Sequence, residues 1–156
     1  MTTYFALKFL HIVGGAVLLG TGAGIAFFLL QAHRTRDASV IAAVGRIVIV
    51  ADFLFTATAV IVQPVTGLLL ALQLGYPVLT GWIALSISLY ILVGCFWLPV
   101  VWMQVKLQRL AAEAAASSTP LTPQYYRLFG LWFAFGVPAF AAVLIIVWLM
   151  IAKPAI

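Results

Sequence analysis

Four stretches of this chain are too apolar and too long to be anything but membrane-crossing helices. They run over Tyr4–Gln31, Ile47–Leu72, Leu79–Met103 and Tyr126–Ala152, and each exceeds the ~20 residues needed to cross the hydrocarbon layer. Lipid offers nothing to an unpaired backbone N–H or C=O, so each run must satisfy its own backbone as an α-helix. Composition agrees: 66% of the residues are hydrophobic and 7% charged, against about a quarter charged in soluble domains. No polar stretch is long enough for an aqueous domain. The expected fold is all-α, an integral membrane antiparallel four-helix bundle forming one membrane domain over residues 1–156. The first run is nearly twice the about 7–15 apolar residues of a signal peptide and ends at Gln31-Ala32-His33-Arg34, so it reads as a retained span.

The few charges set an expected orientation. Arg34, Arg36 and Arg46 surround the first connection, and Lys106, Arg109 and Arg127 surround the third. Lys8 and Lys153 lie at the other side. Positive-inside bias then predicts connections 1-2 and 3-4 in the cytoplasm and both termini outside. The basic balance is matched by an anionic inner leaflet, so it implies a lipid bilayer and no nucleic acid. Cys95 is the single cysteine, which excludes an intramolecular disulfide and a thiolate metal cluster.

Within the first run, helical spacing puts Lys8, His11, Gly14, Gly15, Leu18 and Gly22 on one face. An imidazole at that depth is costly unless it meets a partner or a cofactor. Counting from the helix ends at about 1.5 Å per residue sets His11 level with Gln63–Thr66, Ser86–Tyr90 and Ile145–Trp148. The second run carries a polar stripe, Asp52, Thr56, Ala59, Gln63 and Thr66, which must point inward. Asp52 is expected to pair with Arg46, Arg109 or Arg127, or else to relay protons. Pro64 frees a carbonyl for a kink or a local hydrogen bond. The third run presents Ser86, Tyr90, Trp97, Gln104 and Gln108 on one face, with Trp97 read as a packed core residue. His33 reads as a solvated interface residue. Gly20 and Gly24 form a GxxxG pair suited to helix contact, including a homo-oligomer.

The set expected around His11 is an outer-half pocket: Gln63, Tyr90, a floor of Gly14 and Gly15, and Lys8 and Lys153 at its mouth. Neutral imidazole is a common axial ligand to haem iron, and ammonium groups suit propionates. His11 and His33 lie at opposite sides, so a single-histidine haem b with His11 as the metal ligand is all that one chain allows. Of Met1, Met103 and Met150, only Met150 shares the depth of His11. One histidine without a methionine cluster is a poor copper site. No nucleophile–base pair, phosphate loop or paired carboxylates support a hydrolase. A rival reading is a permease subunit or assembly partner whose polar stripe lines a path. A plainer one has His11 simply hydrogen-bonded to Gln63 or to the carbonyl freed by Pro64.

Several stretches carry a resemblance. Leu7-Lys8-Phe9-Leu10-His11, Asp52 with Gln63-Pro64-Val65-Thr66-Gly67-Leu68-Leu69, Trp97-Leu98-Pro99-Val100-Val101-Trp102-Met103-Gln104, and Trp148-Leu149-Met150-Ile151-Ala152-Lys153-Pro154 resemble the bacterial membrane family known as domain of unknown function 2269. More remotely the chain is similar to the membrane-bound haem-b protoporphyrinogen oxidases (HemJ type) and to copper-resistance CopD membrane domains. That resemblance implies a place in a bacterial inner (cytoplasmic) membrane, a haem-associated His11, a matching C-terminal Lys153, and electron transfer or porphyrin-type oxidation with a redox partner. The chain departs from those oxidases in lacking the Arg-rich tract and second histidine after the first helix. It also has Pro123-Gln124-Tyr125-Tyr126-Arg127 where they carry an Asn-Glu pair.

Overall fold

The computed structural model describes residues 2–155; Met1 and Ile156 lie outside the described residues. The chain forms α1 (Thr2–Thr35), α2 (Ala38–Ala51), a π-helical turn (Asp52–Thr56), α3 (Ala57–Gln73), α4 (Gly81–Ala116) and α5 (Pro123–Ala152), with no strand among the described residues. Helix α2, the π turn and α3 run on as one span, so 4 helices are long and apolar enough to cross a membrane. The bundle therefore has the expected architecture. The first and third connections lie at one end, called here the basic end; the chain termini lie at the other.

The helices outrun the oily stretches that predicted them. The second span starts at Ala38 rather than Ile47, and the third ends at Ala116 rather than Met103. Helix formation continues where hydropathy stops, because caps and alanine content suffice. Asp37 caps α2 by accepting from the backbone N–H groups of Ser39 and Val40. Ala111, Ala112, Ala114, Ala115 and Ala116 are the strongest helix formers available, and they carry α4 through its last turns. Thr122 caps α5, with Pro123 in the first turn, where its missing N–H costs nothing. Pro64, Pro99 and Pro138 all lie inside continuous helices.

Packing is uneven along the bundle axis. The main buried cluster, including Leu29, Ile41, Val48, Met103, Leu107, Tyr125 and Trp132, lies wholly in the basic half. There α4 packs against both α2 and α5. The second span packs against α1 along its whole length, in α2, the π turn and α3, whereas its broad contact with α4 is confined to α2. Outward-facing Phe9, Phe28, Phe53, Ile61 and Trp148 are all exposed, as expected where hydrocarbon is the solvent.

Two expectations change here. His33 is no solvated residue: its ring stacks on Phe129, with centroids 3.6 Å apart and an interplanar angle of 5°. Its Nδ1 also shares a hydrogen bond with the fully buried Tyr125 hydroxyl at 3.1 Å. The α1 terminus continues past the apolar run to Thr35, which carries His33 back over α5. The GxxxG pair, in turn, is not used within the chain. A Cβ on Gly20 would meet nothing, and one on Gly24 would meet only Phe28 of the same helix.

Candidate functional site around His11

His11 lies on the face of α1 that also carries the buried Gly14, Ile25, Leu29 and Ala32. Its ring is turned to α3. The Nδ1 atom lies 3.0 Å from Thr66 Oγ1. The same hydroxyl stands 2.7 Å from the Val62 carbonyl and 3.2 Å from the Gln63 carbonyl; with its one proton on either carbonyl, Oγ1 accepts from His11 Nδ1–H. That arrangement takes the Nδ1–H tautomer, and no hydrogen bond reaches Nε2 among the described residues. A second tie joins the same helices: Gln63 Nε2 donates to the His11 carbonyl at 2.9 Å. A carbonyl well inside α1 thus takes a side-chain donor from α3.

The glycines are explained by this contact. A Cβ on Gly15 would fall 2.8 Å from Gln63 Nε2, and Gly14 also faces the Gln63 side chain. The strip expected as a floor for a planar group is therefore the bed of Gln63. Gly67, absent from the expected site, receives the imidazole itself: a Cβ there would stand 2.9 Å from His11 Cε1. Its signal was the Thr66-Gly67 pair, a partner followed by a gap.

Other expected members lie elsewhere. Tyr90 does not reach His11; its hydroxyl donates to the Val60 carbonyl at 2.6 Å. Residue 60 is four before Pro64, so this is the carbonyl left free by the missing proline N–H. The sequence predicted a local hydrogen bond there but not its donor. Lys8 Nζ lies over the Tyr4 ring and Lys153 Nζ over the Tyr76 ring, each 5.7 Å from the centroid. Lys153 also lines a cavity of about 240 Å³ with Tyr76, Trp82 and Pro154 at the terminal end.

The rest of the stripe is inward and buried as predicted: Asp52 is 3% exposed, Thr56 6%, Gln63 9% and Thr66 4%. The expected partner of Asp52 is corrected. Instead of an arginine, the Trp97 indole donates to Oδ1 at 3.4 Å, while Oδ2 is buried with no partner. Arg46 is exposed, six residues away along α2. Trp97 is thus a polar contact as well as a packed ring.

The sequence pattern of one family, described as predicted integral membrane protein (DUF2269), matches residues 5–154. The chain belongs to that family. No curated protein and no solved structure matches it. In this DUF2269 protein the matched region covers all four spans, so His11, the polar stripe and the π turn all lie within it.

Proposed function

We propose that this DUF2269 protein is a haem-b-binding redox protein of the bacterial inner membrane, with His11 Nε2 as the axial ligand. One observation carries the reading: Thr66 Oγ1 lies 3.0 Å from Nδ1 of a half-buried imidazole whose Nε2 makes no hydrogen bond among the described residues. Ligating histidines characteristically donate their second N–H to a fixed acceptor, which orients the ring and raises its basicity. Haem b would supply a one-electron couple. Thr66 holds the ring, Val62 holds Thr66, and Gln63 fixes the α1 backbone behind it. The fit covers the ligand only. Gln63 lies on Gly14 and Gly15, so no part is assigned to them, and Lys8 and Lys153 are each drawn to a tyrosine ring.

The test is the absorption spectrum of detergent-purified protein expressed with ample haem. A Soret band lost in His11→Ala, and haem affinity weakened about 10–100-fold in Thr66→Val, are the expected results. No band in the wild type, or full occupancy in His11→Ala, overturns the reading.

A second reading has its own observation. Asp52 Oδ2, Thr56 Oγ1 and Gln63 Oε1 are buried without hydrogen-bond partners along one stripe, which suits a path for a small solute or ion through a permease subunit. Flux into liposomes that is lost in Asp52→Asn but kept in His11→Ala would favour it over the haem reading.

A further inference from the structure

The π turn places a carboxyl group in the middle of the bundle with nothing charged to answer it. Helix α3 contains no ionisable cation, α1 has none between His11 and His33, and α4 has none before Lys106. The titratable groups of α4 nearest that level are Tyr90, which is tied to Val60, and Cys95, which is exposed. An ionised carboxylate without a paired cation is expensive in such surroundings. The neutral acid is far cheaper, provided its O–H finds an acceptor.

Acceptors are there. Thr56 Oγ1, one turn along the same face, and Gln104 Oε1 are each buried without a partner. The level of Gln104 follows from the close approach of α2 and α4, where a Cβ on Gly45 would stand 3.1 Å from the Gln108 Cβ. Asp52 is seven residues beyond Gly45 and Gln104 four before Gln108. In antiparallel helices the two then differ in height by about 5 Å, at ~1.5 Å per residue. One proton on Oδ2 and one water between the side chains satisfy all three oxygens; a buried water typically makes about three hydrogen bonds to such orphaned groups.

We propose that Asp52 is a proton-exchanging carboxylic acid, neutral at rest, whose Oδ2–H is served by Thr56 and by a buried water held at Gln104. The exchange step is a plain proton transfer. Oδ2–H gives its proton to the water, leaving carboxylate and hydronium, and the reverse step restores the acid with no oxidant or reductant. Trp97 steadies Oδ1 in both forms. The inference is independent of the haem reading and gives the polar stripe a defined chemistry.

Infrared absorption of the full chain in lipid nanodiscs tests it. Only Asp37, Asp52 and Glu113 carry acidic side chains, and Asp37 and Glu113 are exposed. At pH 7 the wild type is expected to show the C=O stretch of a protonated carboxylic acid, shifted on transfer to D₂O. The band should vanish in Asp52→Asn and move in Trp97→Phe, which leaves the acid in place. No such band in the wild type overturns the proposal, as does a band that survives Asp52→Asn or ignores D₂O.

Discussion

Single atoms decide what His11 can do. A methyl group on Gly67 would collide with Cε1 of a stiff ring already tied to Thr66. Gly67→Ala is therefore expected to destabilise the protein by about 1–3 kcal/mol, the usual cost of overpacking, and to break the Nδ1–Oγ1 bond. Gly15→Ala meets only the far end of Gln63. It is expected to cost a single hydrogen bond, about 0.5–1.5 kcal/mol, partly offset by the better helix propensity of alanine. Thermal unfolding of both variants in one detergent measures the contrast; a harsher Gly15→Ala would contradict the packing described. At this scale the sequence was partly legible. The stripe Asp52–Thr66 and the shared depth of His11 and Gln63 follow from period and length. The contacts of Trp97 with Asp52 and His33 with Phe129 do not, because both reach across between spans and leave no trace in local spacing.

At the scale of elements, oily length announced the spans, while caps set where they begin and end. The Asp37 carboxyl is held below the usual range first by the Ser39 hydroxyl, then by the backbone N–H groups of Val40 and Ser39. Because its folded value is depressed, its contribution is complete above the ordinary aspartate range and fades as pH falls through the lowered value. Amide exchange at the start of α2 should accordingly quicken in acid, relative to neutral solution after correction for intrinsic rates. Asp37→Asn should lack that acid step. The π turn was illegible for a related reason. A single widened turn keeps the four- and three-residue intervals of the stripe almost unchanged, so periodicity passes over it. It marks where the span's broad contact with α4, made by α2, gives out, while α1 stays packed against both α2 and α3. Turns of this kind recur at functional sites.

For the whole molecule, sidedness is the first matter to measure. With Cys95 replaced by Ser, single cysteines at Ser39 and Ser117 should react with an impermeant maleimide only after the inner face is opened. One at Leu79 should react from outside intact cells. The reverse pattern would refute the orientation predicted from Arg34, Arg36, Arg46, Lys106, Arg109 and Arg127.

The uneven packing has a mechanical meaning. The four rods are clamped at one end by a cluster of interlocked apolar side chains, whereas at the other end α1 and α3 meet through glycines and the polar side chains of His11, Gln63 and Thr66. A bundle held so behaves like tongs with a stiff heel. Any widening that admits a guest would begin at the free tips and die away toward the heel, and it would have to break the ties made by Thr66, Gln63 and Tyr90.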